Sequence, residues 1–338
     1  LSSNDGISWN SANSGTTEML LGVGYGGGKF VVVGTGGAVL TSSDGTSSWS
    51  AASSGSTDGL RSIAYGGGVF VIVGEGGAIL TSSDGTSWNS ESSGTTNALY
   101  GISYGGDKFV AVGSGGAILT SSDGISWSAA SSGTTNTFYG ITYGGGKFVA
   151  VGANGTILTS SDGISWSAVS SGTTNYLIGI SYGGGKFVAV GTSGTILTSN
   201  DGISWSTASS GTSYQLNSIS YGVGKFVAVG TNGVILTSSN STSWSSVSSG
   251  TSYQLNSISY GGGKYVAVGR NGTILTSSNG TTWSLASSGT TDDLSCITFD
   301  GNKFITVGIY GTMLGSSDGT IWSNISYGAN GGLLSIAY

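Results

Sequence analysis

The chain has 338 residues, 65 of them Gly, with no Pro, no His, one Cys, only 7% charged side chains and a net charge of −6. Without His, histidine general bases and histidine-ligated metal sites are excluded; without a basic tract, nucleic acid and anionic membrane surfaces are disfavoured as partners. No run reaches the ~18 apolar residues of a membrane span, and the lone Cys296 forbids an internal disulfide.

Tryptophans recur at Trp9, Trp49, Trp88, Trp127, Trp166, Trp205, Trp244, Trp283 and Trp322, spaced 39 residues apart except for one interval of 40. A fixed period near 40 signals a repeat architecture. From the N-terminus, residues 1–9 read as the end of one unit, followed by complete units at about 19–57, 58–96, 97–135, 136–174, 175–213, 214–252, 253–291 and 292–330. Residues 331–338 begin another, so 1–18 and 331–338 are assigned to a shared closing unit. The sequence starts inside a repeat and shows no signal peptide, so any export signal is expected to lie outside it.

Each unit reads as four short strands. In the third, strand A is 99–104, strand B 108–112, strand C 117–121 and strand D 125–129. Runs rich in Val, Ile, Phe and Thr bounded by Gly, Ser, Asn and Asp are strand signals, and no segment keeps a helical period. Strand B, as in Phe148-Val149-Ala150-Val151, is apolar on both faces, as expected of a sheet sandwiched between two others. Cys296 falls in register with Ser218 and Ser257 and is expected to be a small buried residue.

The C–D connection carries Asp44, Asp84, Asp123, Asp162, Asp201 and Asp318, replaced in two units by Asn240 and Asn279. Asp-Gly between two strand-like runs predicts a tight hairpin, with the following Trp on strand D. Asn keeps the turn-forming carbonyl and loses the charge, so the position is predicted to be structural rather than catalytic or metal-binding. The stretch Ser121-Ser122-Asp123-Gly124-Ile125-Ser126-Trp127 resembles the Asp-box of bacterial sialidases and related β-propellers, written S/T-x-D-x-G-x-x-W, with Asp and Gly here adjacent. The longer pattern from Tyr182 to Trp205 is similar to propeller repeats of bacterial cell-surface proteins, and it runs through essentially the whole chain.

These readings converge on an all-β fold: a single closed β-propeller of four-stranded antiparallel blades, about 39 residues each. Nine blades are favoured, the ninth built from both termini and incomplete, because nine full repeats would exceed the chain by 14 residues. Eight blades with overhanging ends are the alternative.

In such a ring the A–B and C–D turns share one face, and the B–C and D–A connections share the other. The first face is nearly constant, with Lys29, Lys108, Lys147, Lys186, Lys225, Lys264 and Lys303 beside the Asp turns, and is expected to be solvated surface with weak charge pairing. The second varies: Glu75, Ser114, Asn154, Ser193, Asn232, Arg270 with Asn271, and Ile309 with Tyr310 on B–C; Glu18, Asp58, Asn97, Phe138, Tyr176, Tyr214, Tyr253 and Asp292 on D–A. Variable loops on a constant scaffold are where binding specificity resides. Tyr176, Tyr214 with Gln215, Tyr253 with Gln254, Arg270, Tyr310 and Glu75 are therefore the candidate ligand-binding residues.

Sialidase activity does not follow from the resemblance, since those enzymes need an arginine triad and only Arg61 and Arg270 exist here. The sequence is read as a non-catalytic extracellular or cell-surface propeller for display, adhesion or protein interaction, needing no cofactor and no metal. The alternative is a lectin-like carbohydrate binder using the variable face. A third reading, a glycoside hydrolase, would draw on Glu18, Asp58, Glu75 and Asp292.

Overall fold

The computed structural model describes residues 16, 18, 20–43, 49–299, 301–309 and 312–324. They form eight antiparallel four-stranded sheets, each made of consecutive strands in the order A-B-C-D. The eight blades span 20–52, 60–91, 99–129, 138–169, 177–208, 216–247, 255–286 and 294–324. In blade 3, strand A is Leu99–Gly105, B is Lys108–Gly113, C is Ile118–Ser121 and D is Ser128–Ala129. Among the described residues no helix is long and apolar enough to cross a membrane.

The core lies between blades, and strand B supplies both sides of it. Phe148 and Ala150 of blade 4 join Val110, Val112 and Ile118 of blade 3, whereas Val149 and Val151 join Leu177 and Phe187 of blade 5. All four strand-B residues are at most 1% exposed, and burying each large apolar side chain contributes roughly 1.5–3 kcal/mol. The two-faced apolarity of the strand thus follows from its place inside a stack. Close approach of the inner strands needs glycine at the foot of strand A: a Cβ on Gly144 would sit 2.1 Å from Cγ of Tyr182 in the next blade.

Seven apolar clusters bridge consecutive blades. The eighth holds Leu20, Val23, Phe30 and Val32 of blade 1 together with Cys296, Ile305, Val307 and Met313 of blade 8. These residues take the places that Val266, Val268 and Ile274 of blade 7 and Leu294, Ile297 and Phe304 of blade 8 take in the cluster before it. The circle therefore closes with eight blades, not the nine favoured from the repeat count. The repeat count gives the number of wedges in a stretch of chain, but the packing angle between wedges decides how many fill a circle. The pieces expected to form a ninth blade, 1–18 and 331–338, lie outside the described residues apart from Thr16 and Glu18. Cys296 is buried at the closing seam, with Sγ 3.5 Å from Ser257 Oγ.

The C–D connection is a longer turn than a two-residue hairpin. Strand D of blade 3 begins at Ser128, so Trp127 belongs to the turn and not to the strand. Asp123 Oδ1 accepts the N–H groups of Ile125 and Ser126, each at 2.8 Å. Ser121 Oγ accepts from Gly124 N at 2.8 Å, and the Trp127 indole N–H donates to Gly124 O at 2.7 Å. The indole then faces the phenyl ring of strand B, as Trp205 does with Phe187 at 6.5 Å between centroids.

Candidate functional site

The two backbone connections at the variable face are conformationally demanding, and this accounts for part of their sequence. In the B–C connections of blades 1–7 two successive residues adopt a left-handed conformation; the second is always Gly, and the first is Gly115 in blade 3, Asn154 at φ 54° in blade 4, Ser193 at 55°, Asn232 at 58° and Asn271 at 53°. Gly, Asn and Ser tolerate that region better than bulkier residues. Asn154, Ser193, Asn232 and Asn271 therefore answer to the backbone at these positions. Phe138, read as a connection residue, instead opens strand A of blade 4 and is fully buried.

On the constant face, Nζ of Lys186, Lys225 and Lys264 donates to the backbone carbonyls of Asn240, Asn279 and Asp318 in the next blade, at 2.7–3.1 Å. The expected pairing with turn carboxylates is replaced there by a carbonyl contact, which explains why Asn serves as well as Asp. Asp84, Asp123, Asp162, Asp201 and Asp318 all use Oδ1 to accept backbone N–H groups of their own turn, and Asn240 and Asn279 do the same. Bonds from Ser165 N and Ile164 N hold the Asp162 carboxyl down to about 2, and those from Ser204 and Ile203 do the same for Asp201. Asp44 lies outside the described residues.

An axial channel of about 1150 Å³ is walled by the inner strands of blades 2–8. Its mouth lies on the variable face and is built at one recurrent position, the second residue of strand A. Around the ring that position holds Leu21, Arg61, Tyr100, Tyr139, Ile178, Asn217, Asn256 and Ser295. It is aromatic in blades 3 and 4, aliphatic in blade 5 and amide in blades 6 and 7. One wall thus differs in chemistry from the opposite one.

On the aromatic side, Tyr139 stands between Tyr100 and Tyr176. The Tyr139 and Tyr176 rings lie 6.1 Å apart at 35°, and the Arg61 guanidinium sits 5.7 Å from the Tyr100 centroid. Partial burial, then the neighbouring phenols of Tyr176 and Tyr100, push the Tyr139 hydroxyl up from its ordinary value. On the amide side, Gln215 Nε2 donates to Asn217 Oδ1 at 2.7 Å, and Asn217 Nδ2 donates to the Leu255 carbonyl of the next blade at 2.8 Å. Gln254 and Asn256 repeat the relay onto Leu294 O with the same two distances. Arg270 Nε and Asp293 Oδ2, 3.7 Å apart, close the remaining arc.

Of the candidates read from sequence, the structure gathers Tyr176, Gln215, Gln254 and Arg270 around the channel. Tyr214 and Tyr253 do not line it: both are nearly half exposed, with backbone N–H groups held by Thr212 and Thr251 hydroxyls. Glu75 is also outside it, ion-paired with Arg61. Tyr310 lies outside the described residues. Glu18 accepts from Thr35 Oγ1 at 2.6 Å and Asp292 accepts from the Thr312 hydroxyl, so both are engaged with B–C connections. Among the described residues the channel wall itself carries one carboxylate, Asp293. Tyr100, Tyr139, Asn217 and Asn256 were missed because they sit within a strand; the residue after the opening Leu or Phe of strand A changes from unit to unit, and that is the signal that marks them.

The DUF6242 beta propeller domain family matches residues 25–138, about a third of the chain. No protein of curated function matches the sequence. Among solved structures, the computationally designed protein Ika8 is similar with a TM-score of 0.74 at 13% identity, covering 94% of this chain and 99% of its own. YCF48 from Cyanidioschyzon merolae is similar at 18% identity and a TM-score of 0.58, covering 79% of this chain and 95% of its own. Sqt1 of Saccharomyces cerevisiae is similar at 13% identity and a TM-score of 0.67, covering 94% and 100%. These likenesses show the fold: this chain is a β-propeller.

Proposed function

We propose that the chain is a non-catalytic propeller scaffold that takes a ligand at the mouth of its axial channel, in a display, adhesion or protein-interaction role at or outside a cell surface. One observation carries this reading. A ring whose blades are otherwise near copies carries a mouth whose residues differ from blade to blade, graded from tyrosines through amides to an ion pair. Stability of a repeat ring rests on repeated interfaces, so grouped variation at the mouth, which those interfaces do not require, supports a binding surface there. The chemistry of the wall argues in the same direction. Asp293 is engaged by Arg270 and by the Asn271 N–H at 2.9 Å, and among the described residues no second carboxylate lines the channel to complete an acid–base pair. The surface location is supported by low charge, abundant Ser and Thr, and the resemblance of the Asp turn to Asp-box repeats. The chain is taken as one propeller domain over 1–338.

A polypeptide is the rival occupant to a small ligand, since a propeller of like fold, YCF48, has been seen bound to the D1 peptide at 17% identity to this chain. The test is to probe glycan and peptide arrays with three proteins. These are the wild type, a mouth variant (Tyr100→Ser, Tyr139→Ser, Tyr176→Ser) and an opposite-face variant (Lys186→Ser, Lys225→Ser, Lys264→Ser). Binding lost only in the mouth variant supports the reading. Binding lost only in the lysine variant overturns it, as does turnover of aryl glycosides that vanishes on Glu75→Gln.

A further inference from the structure

We infer that the axial channel is a site for a neutral saccharide, whose ring stacks on Tyr139 and Tyr176 and whose hydroxyls donate to the side-chain oxygens of Gln215 and Gln254. This rests on the channel mouth being where a ligand binds, and it adds the ligand's chemical class.

The polarity of the amide wall decides the class. A backbone carbonyl only accepts, so the contacts to Leu255 O and Leu294 O require Asn217 and Asn256 to present their NH2 groups outward to the next blade. Each Asn Oδ1 then faces its glutamine, which must offer Nε2. The relay leaves Oε1 of Gln215 and of Gln254 as open acceptors, one blade apart. A ligand on this wall must bring hydrogen-bond donors. Carboxylates and phosphates bring none, and an extended peptide brings a carbonyl for every N–H, setting oxygen against oxygen. Sugar hydroxyls donate freely.

The adjoining arc, from blade 4 to the connection before blade 5, is suited to the other surface of a sugar. Tyr139 and Tyr176 are 38% and 45% exposed and tilted by 35°, so their faces are open to the channel rather than closed on each other. A pyranose C–H face against such rings gains dispersion and C–H contact without needing charge. Charge is also balanced among the described residues: there the wall holds one cation and one anion, Arg270 and Asp293, and they face each other at 3.7 Å. An ionised sugar therefore meets no net countercharge. The channel, at about 1150 Å³, exceeds the ~300–1,000 Å³ typical of small-molecule sites, which gives room for more than one sugar ring.

The experiment is calorimetric titration of the intact chain with cellohexaose, maltohexaose and mannohexaose, and with sialyllactose as the charged comparison. At least one neutral hexasaccharide is expected to bind, and more tightly than sialyllactose. Tyr139→Ala should weaken that binding about tenfold or more, and Gln215→Leu with Gln254→Leu together by roughly three- to tenfold. Tyr214→Ala with Tyr253→Ala, outside the channel, should leave it unchanged. Equal thermal melting of the variants and the wild type shows that the fold is intact, and Tyr139→Ser serves if the alanine variant melts early. Absence of binding by all three neutral sugars overturns the proposal, and so does binding indifferent to Tyr139. If an array peptide binds and depends on Tyr139 while the sugars do not, the saccharide class falls and the scaffold reading stands. If binding of any ligand follows the lysine face instead, both fall.

Discussion

Replacing Asp84, Asp123, Asp162 and Asp201 together by Asn tests whether the C–D turns are architecture. Each carboxylate Oδ1 accepts two backbone N–H groups, and an amide oxygen in the same place does so in blade 6, where Asn240 Oδ1 takes Thr242 N at 3.0 Å and Ser243 N at 2.8 Å. The substitution therefore keeps both bonds and removes only the charge. What the charge contributes follows from linkage. Asp162 is held at about 2 in the folded chain against an ordinary 3.8; at about 1.4 kcal/mol per unit the unscreened limit is roughly 2.5 kcal/mol. The side chain is exposed, and solvent screening brings this to about 1 kcal/mol or less. A depressed acid pKa stabilises the fold fully above the unfolded value and ceases to do so as pH falls through the folded value. The wild type should exceed the fourfold variant by up to roughly 4 kcal/mol near pH 7, or about 5 °C in Tm for a chain of this length. The gap should narrow from about pH 4, be mostly lost by pH 2 and close below it, the Asp84 share persisting lowest because its carboxyl is depressed furthest. Scanning calorimetry at pH 7, 4, 3 and 2 reads it directly. A difference that stays constant with pH would refute the reasoning. So would a fourfold variant that fails to fold at pH 7, because the carboxylates would then be doing something that an amide cannot.

Gly144→Ala should cost about 2–4 kcal/mol in chemical denaturation, because its Cβ would meet the Tyr182 ring at 2.1 Å, whereas Gly146→Ala, with open space around it, should cost only the roughly 1 kcal/mol of its positive φ. Equal costs would deny the tight inter-blade approach. Tyr265→Phe should shift Tm little, within about 1 kcal/mol: its hydroxyl donates to Lys225 O at 2.8 Å, but the other seven blades hold Phe at that position beside the same turn. End-on particle averages of the whole chain should resolve eight lobes; nine would overturn closure through the cluster of Phe30, Val32, Ile305 and Val307.

Strand order, blade length and the two-faced apolarity of strand B were legible from sequence because each depends on local period and on turn chemistry. Phe148-Val149-Ala150-Val151 can be buried on both sides only between two neighbours. The length of the C–D turn was not legible. Asp-Gly fits a two-residue hairpin equally well, and only the two N–H bonds to Asp123 Oδ1 show that the turn extends through Trp127. Blade number was not legible either, since it depends on the angle at which Val307 meets Phe30 across a seam formed by residues nearly the whole chain apart. The site was half legible. Variation in loops led to Tyr176, Gln215, Gln254 and Arg270, but the same rule led equally to Tyr214 and Tyr253, which do not line the channel, and to Asn154 and Asn232, which satisfy a backbone angle.

The distinction between those two kinds of variation is the more general point. In a ring of near-identical wedges, each inter-blade position faces its own copy's neighbour, so a change there must be matched across an interface; Cys296 beside Ser257 is such a tolerated small-for-small exchange. The second residue of strand A belongs to none of the eight inter-blade apolar clusters, so core packing does not fix its identity. A position free of packing constraint should drift without order, yet here the residues are grouped: two tyrosines on adjacent blades with a third from the connection stacked beside them, then two identical Gln–Asn relays on the next two blades. The relays also cost freedom, since each fixes two side chains to a neighbouring carbonyl and leaves one oxygen turned to the channel. Side chains spent on orienting an acceptor toward empty space make sense when that space is periodically filled by a donor.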